Sequence, residues 1–222
     1  MSAADPAVLF PDAMLERITR ARVVAGFAID DIATAVPLAK ALLAGGIDVI
    51  ELMLRTDAGI EAVREIAEHV PEMLIGVGTV LRPDQVTAVK AAGAHFAVSP
   101  GLNPSVVKAA RDAGLPFAPG IATPSDVEAA IELGCRFLKL FPAAAMGGPG
   151  YLKSMSAPYA PLGIRYFPLG GVNPENLGGY LALDCVAAVG GSWIVKAPLV
   201  AAGDWAGLTA RAADAVRIAA EA

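Results

Sequence analysis

Short runs of apolar, mostly β-branched or aromatic residues recur along the chain. Each is followed by a turn rich in Gly, Pro, Asn and Asp, then by an amphipathic, Ala-rich stretch ending near Gly. The apolar runs fall at 22–29, 49–54, 74–77, 96–99, 117–119, 137–141, 166–169 and 187–189, eight in all, and read as strands. The stretches between them read as helices over 31–44, 58–70, 83–92, 104–113, 124–133, 150–157 and 174–182, with a last helix from Asp204. Asn103-Pro104, Thr123-Pro124 and Asn173-Pro174 supply an N-cap followed by Pro at the first helical position.

Strands that alternate with helices run parallel, and short continuous apolar strands are buried on both faces, as in a barrel or a doubly wound sheet. The count of eight runs favours a (β/α)8 TIM barrel, an α/β fold formed as a single domain over residues 1–222. Residues 1–20 form an N-terminal extension with one extra helix, at about 7–20, which would cover the bottom of the barrel. In such a barrel chemistry gathers at the C-terminal ends of the strands, and phosphate commonly binds after strands seven and eight.

Composition narrows the partners. Hydrophobic residues make up 55% of the 222, enough for a large core. A formal charge of -5 argues against nucleic acid and anionic membranes, leaving a small molecule as the expected partner. The first residues lack a basic segment followed by an apolar one, so export is not expected. The apolar stretches 42–54 and 182–200 are interrupted by Asp48, Glu51, Asp184 and Lys196, so no transmembrane helix is expected. Cys135 and Cys185 have neither CxxC nor zinc-type spacing and read as core thiols of a cytoplasmic protein. His69 and His95 lack a second ligand at metal spacing and read as structural, so no metal is expected.

One lysine stands apart. Lys139 lies inside the apolar strand Phe137-Leu138-Lys139-Leu140-Phe141-Pro142, whereas Lys40, Lys90, Lys108 and Lys153 fall on helix faces and Lys196 follows the last strand. An apolar strand disfavours an ammonium and so favours the neutral amine, the form that attacks carbonyls. A lysine there can also serve as half of a core ion pair, or snorkel out at the strand end. On the second strand Glu51, Met53 and Arg55 share one face by the period of two. If that face is the barrel interior, Glu51 can move protons and Arg55 can grip a carboxylate, and the alternative is a structural ion pair at the mouth. Gly76-Val77-Gly78-Thr79 lacks the third glycine and the context of a dinucleotide fingerprint, so no nicotinamide cofactor is expected. Gly170-Gly171 and Gly190-Gly191-Ser192 follow the seventh and eighth runs, where backbone N–H groups at helix N-termini can cradle an anion.

Glu51 to Arg55, Gly78-Thr79, Ser99-Pro100, Lys139 to Pro142, Gly170-Gly171 and Gly190-Gly191-Ser192, in this order, resemble the 2-keto-3-deoxy-6-phosphogluconate (KDPG) and 4-hydroxy-2-oxoglutarate (KHG) aldolases over nearly the whole chain. The resemblance implies a homotrimeric class I aldolase, a carbon–carbon lyase without metal or cofactor, that cleaves a 2-keto-3-deoxy sugar acid to pyruvate and an aldehyde. KDPG, which would yield glyceraldehyde 3-phosphate, is the first candidate, with 4-hydroxy-2-oxoglutarate and unphosphorylated or C4-epimeric acids as alternatives. It also implies that Lys139 forms the Schiff base, Glu51 is the acid/base, and Arg55 and Thr79 hold the pyruvate carboxylate. Pro100 and Phe141 would line the pocket, and Gly170, Gly171, Gly191 and Ser192 would receive phosphate. The chain departs from the family pattern at Leu169, commonly Thr, and Ala144, often Glu; its early strand reads Val24-Ala25-Gly26-Phe27 where many relatives have Pro or Arg. A phosphate-binding isomerase or epimerase would use the glycine pairs but not Lys139, and a non-catalytic scaffold would need none of these residues.

Overall fold

All the strands pair in parallel in the computed structural model, which describes residues 10–222. The strands are β1 Val23–Phe27, β2 Val49–Met53, β3 Leu74–Gly78, β4 Phe96–Val98, β5 Phe117–Ala118, β6 Gly120–Ile121, β7 Phe137–Leu140, β8 Arg165–Pro168 and β9 Val189–Gly191. Helices α1 Asp12–Ala21, α2 Ala35–Ala44, α3 Gly59–His69, α4 Pro83–Ala91, α5 Pro104–Ala113, α6 Pro124–Glu132, α7 Gly148–Ser156, α8 Leu177–Leu181, α9 Ala197–Ala201 and α10 Trp205–Glu221 connect or flank them. This is the α/β barrel class that the repeat predicts.

The ladder is not continuous around the ring. It divides into a six-stranded arc, β5-β4-β3-β2-β1-β9, and a three-stranded arc, β6-β7-β8. The first seam is Pro119, which parts β5 from β6 within one run of chain because proline brings no N–H to a ladder. Its carbonyl still accepts from the Lys139 amide at 2.9 Å. The second seam is a bridge between Tyr166 and Val186, where the Tyr166 amide donates to Cys185 and the Ala187 amide donates to Tyr166.

Side chains alternate between two cores. Outward residues such as Ala25, Ile50, Leu52, Ile75, Val77, Leu138 and Leu140 pack under the helices. Inward residues Val24, Val49, Leu74, Phe96, Val98, Phe137 and Phe167 fill the lumen together with Phe10 and Ile18. Phe10 meets Phe96 and Phe137 edge-to-face at 5.7 and 4.8 Å between centroids, so the segment leading into α1 plugs the barrel floor. Arg17 of α1 ties this plug down through Asp48 Oδ2 at 3.2 Å. The predicted bottom helix is therefore present over Asp12–Ala21, while its expected start at residues 7–9 lies outside the described residues.

Three expectations shift. The eighth strand is Val189–Gly191, two residues beyond the predicted run, because it takes its register from β1 through Val23↔Val189 and Ala25↔Gly191. Gly190 and Gly191 thus belong to a strand and do not form a turn after it. The helix predicted over 174–182 shrinks to Leu177–Leu181, since the Asn173 carboxamide accepts from Glu175 and Asn176 and holds a turn first. Likewise Ile32–Thr34 is a 3₁₀ turn ahead of α2, capped by Asp31 accepting from the Ala33 amide. Asn103 and Thr123 cap α5 and α6 as predicted, by accepting from Ser105 and Asp126.

Candidate active site

The upper lumen differs from the lower in one respect: its inward positions are largely glycine. A Cβ at Gly26 would lie 3.2 Å from Glu51 Oε2, and one at Gly78 would lie 2.7 Å from Glu51 Cδ. At Gly76 an added Cβ would run into the Phe96 ring, and at Gly190 it would press on Leu169 at 2.7 Å. Removing these side chains opens space above the aromatic floor, and two ionisable groups reach into it. Glu51 projects from β2 and Lys139 from β7; both are buried, at 1% and 4% exposure. Their side chains meet with Lys139 Nζ donating to Glu51 Oε1 at 2.8 Å. The Nζ also stands 5.3 Å from the centroid of the Phe141 ring.

The lysine is therefore not alone among apolar groups. It is half of a core ion pair, the structural alternative raised by the sequence, and it also lines an open cavity. Burying two charges is costly, and a pair of this kind is weak evidence for stability by itself. The pair borders a cavity of about 260 Å³ lined by Gly26, Glu51, Met53, Arg55, Lys139, Phe141, Leu169, Gly170, Gly190, Gly191 and Ser192. Seven of the residues singled out in the sequence, Lys139, Glu51, Arg55, Phe141, Gly170, Gly191 and Ser192, thus line one cavity.

Thr79, Pro100 and Gly171 stand outside this lining. Thr79 directly follows β3 and adopts φ 63°, a left-handed conformation that a β-branched residue rarely takes. Pro100 abuts Gly120, the ladder partner of Lys139. Gly171, at φ +81°, faces Ala144, whose Cβ would be 2.6 Å from a Cβ added at 171. Gly170 has φ +90°, so the Gly170-Gly171 turn needs residues without a Cβ at two successive positions. Because α8 starts only at Leu177, an anion here would meet loop amides and not the end of a long helix.

Gly26 also lines the cavity, and only its cross-strand register with Glu51 reveals it. Met53 lines it on the face it shares with Glu51 and Arg55, and Gly190 beside Gly191, as the alternation and the glycine pair suggest. Leu169, noted as a departure, is 5% exposed and faces the cavity. His95 lies away from the site, where its Nδ1 accepts from the Ile75 amide at 3.0 Å. Among the described residues no group of three or more His, Cys, Asp and Glu is placed to hold a metal, and no helix is long and apolar enough to cross a membrane.

A parallel barrel with a lysine paired to a carboxylate at the floor of an upper cavity defines the class of Schiff-base barrel lyases. Residues 14–211 match the family model of the KDPG and KHG aldolases. The chain is 45% identical over 199 residues to the 2-dehydro-3-deoxy-phosphogluconate aldolase of Dickeya dadantii, covering 90% of this chain and 92% of that one. It is 43% identical to the KHG/KDPG aldolase of Escherichia coli K12 with the same coverage. Its fold superposes with a TM-score of 0.86 and 38% identity on KDPG aldolase from Legionella pneumophila, solved with pyruvate captured as a covalent carbinolamine, over 90% of this chain and 97% of that one. The chain belongs to the KDPG and KHG aldolase family and is a class I aldolase, a carbon–carbon lyase.

Proposed function

We propose that this chain cleaves KDPG to pyruvate and glyceraldehyde 3-phosphate, with Lys139 as nucleophile and Glu51 as the acid/base. The observation that carries this reading is the 2.8 Å contact between Lys139 Nζ and Glu51 Oε1 on the cavity wall. Transfer of the shared proton to Glu51 leaves a neutral amine, which attacks the C2 carbonyl of the keto acid. Glu51 then returns a proton to the departing hydroxyl, and the carbinolamine loses water to form an iminium. With the iminium as electron sink, Glu51 takes the C4 hydroxyl proton and the C3–C4 bond breaks, releasing the aldehyde. The remaining enamine takes a proton at C3, and water hydrolyses the iminium to pyruvate and free Lys139.

Arg55, at the open end of the cavity, is suited to the keto-acid carboxylate. Gly170, Gly171, Gly191 and Ser192 offer backbone amides and one hydroxyl to the phosphate, and Thr79 and Pro100 would support the carboxylate end from just outside the lining. The protein would act as a homotrimer in the cytoplasm. An oligomer is supported by the match of 90% of the chain to 72% of a cage chain designed by fusing symmetric oligomeric domains, and a reducing compartment by two free cysteine thiols.

Borohydride reduction in the presence of pyruvate tests the assignment. Wild type should gain a stable adduct on Lys139, and Lys139→Met, which keeps the chain length and suits an apolar strand, should gain none while keeping its fold. An adduct that persists in the variant would reject Lys139. Relative kcat/KM for KDPG, its C4 epimer, the unphosphorylated acids and 4-hydroxy-2-oxoglutarate would then rank the substrates.

A further inference from the structure

A cavity of about 360 Å³ opens on the outer side of the barrel wall and shares no lining residue with the catalytic one. It lies between α7, the 3₁₀ turn Ala157–Leu162 that follows it, β8, and the segment leading to β9. Ile164 and Leu183 give it apolar walls, and Lys153 and Asp184 stand at exposed positions along its edge. Deeper in are the hydroxyls of Ser156 and Tyr166 and the thiol of Cys185. The proposed reaction uses none of these groups.

Most polar groups here already have partners. Cys185 Sγ donates to Ser156 Oγ at 3.6 Å, and Ser156 Oγ donates to the Lys153 carbonyl at 3.4 Å. The hydroxyl of Tyr159, also in the lining, donates to Glu128 Oε1 at 3.2 Å. The Tyr166 hydroxyl, on a side chain only 1% exposed, has no hydrogen-bond partner among the described residues. Burial, then the neighbouring Cys185 thiol and Tyr159 phenol, push the Tyr166 phenol above its ordinary value, so it remains a neutral donor. A buried donor without an acceptor is costly and uncommon, and this one lines a space with a thiol beside it. Cys135 is the contrast: it is 1% exposed, and burial pushes its thiol up to about 11.

We infer that this cavity is a thiol-modification site, which seats a single amino-acid thiol as a mixed disulfide on Cys185, delivered by a small zwitterionic disulfide such as cystine. The Cys185 thiolate attacks one sulfur of the reagent, and the new S–S bond forms as the reagent's own S–S bond breaks. The other half leaves as a thiolate and takes up a proton, so Cys185 is oxidised and the departing half reduced. The attached group brings a carboxylate that can accept from the Tyr166 hydroxyl and face the Lys153 ammonium, while its own ammonium faces Asp184. Ligand pockets run from roughly 300 to 1,000 Å³, so a cavity at the lower end suits one amino acid better than a peptide.

The test is incubation of the whole chain with cystine, followed by intact mass and peptide mapping. One cysteinyl group should appear on Cys185 and none on Cys135, and Cys185→Ser should gain none. Rates are then compared for cystine, for cystamine, which lacks the carboxylate, and for 3,3′-dithiodipropionate, which lacks the ammonium, each divided by its rate with free N-acetylcysteine. Cystine should lead both by about two- to fivefold, and Lys153→Gln, at an exposed helix position, should slow cystine and dithiodipropionate but not cystamine. Tyr166→Phe removes the donor and keeps the ring. At a fixed cysteine-to-cystine ratio it should lower the adduct's equilibrium constant roughly two- to tenfold, with thermal unfolding reporting that the fold is kept. Equal corrected rates for the three reagents, labelling of Cys135 alongside Cys185, or an adduct that Tyr166→Phe leaves equally stable would each reduce Cys185 to an ordinary surface thiol and overturn the inference.

Discussion

Gly78→Ala should disable the enzyme without unfolding it. The added methyl would overlap Glu51 Oε1 and lie 2.7 Å from Cδ and 3.0 Å from Cγ, all parts of one side chain. Ordinary contact requires about 3.4 Å or more, so the carboxylate must move by roughly 1 Å, and it can do so only into the open cavity. That displacement breaks the 2.8 Å bond to Lys139. A misplacement of about 1 Å in a catalytic group costs on the order of 10²-fold in rate, or roughly 2.7 kcal/mol of barrier. Stability should change little, because Gly78 lies outside the left-handed region and Ala loses less freedom on folding, offsetting part of the strain. The assay is the initial rate of pyruvate release from KDPG, with thermal unfolding measured alongside. Gly26→Ala is the matched control: its methyl would stand 3.2 Å from Oε2, a contact that a small rotation relieves, so the loss should stay within about fivefold. If Gly78→Ala retained activity within about twofold of wild type, or if the two variants were equally impaired, the position of Glu51 would not govern the chemistry.

Glu51→Gln should still trap pyruvate slowly but lose KDPG cleavage by roughly two to four orders of magnitude; a loss under about tenfold, in single-turnover measurements, would assign the proton to another group. Leu169→Thr places a hydroxyl on the cavity wall where the leucine now offers no hydrogen bond, and should shift kcat/KM toward the gluconate-type epimer by about 0.5 to 1.5 kcal/mol. An epimer ratio unchanged between the two proteins would mean that position 169 does not contact the substrate. Partial burial of the His95 ring, with the Arg17 guanidinium nearby, holds its imidazole below the ordinary value. The unfolded chain therefore binds the proton more readily, so stability is full above the ordinary histidine value near about 6.5 and falls as pH drops below it. Urea titrations at pH 7.5 and 5.5 should show this loss reduced in His95→Asn, whose carboxamide oxygen can still accept from the Ile75 amide at either pH; an equal loss in both proteins would assign it to other groups.

Local signals carried most of this architecture. Continuous apolar runs placed the strands, N-cap and proline pairs placed α5 and α6, and a lysine inside such a run singled out Lys139. What escaped depends on contacts distant in sequence. The Lys139–Glu51 pair joins residues 88 apart, and neither run shows that the other lies across the lumen. The same holds for β9, where two glycines read as a turn until β1 supplies the register. Asn173-Pro174 carries the same signature as Asn103-Pro104, yet only the latter opens a full helix, because residues beyond the cap decide whether the turn propagates. Gly26 reaches the cavity through its ladder partner Glu51, which no local pattern contains.

The two seams of the ring set the catalytic pair in a mechanical light. Glu51 belongs to the six-stranded arc and Lys139 to the three-stranded arc, and the ladder between these arcs is interrupted at Pro119 and reduced to the single Tyr166–Val186 bridge on the other side. The ion pair is thus a rivet across the lumen between two plates that share no continuous ladder. Forming the iminium leaves Lys139 Nζ with one N–H in place of the ammonium's three, so each catalytic cycle loosens and remakes the rivet from inside. Amide exchange near Gly120 and Val186 should accelerate when pyruvate is reduced onto Lys139, so that turnover is written into the breathing of the barrel itself.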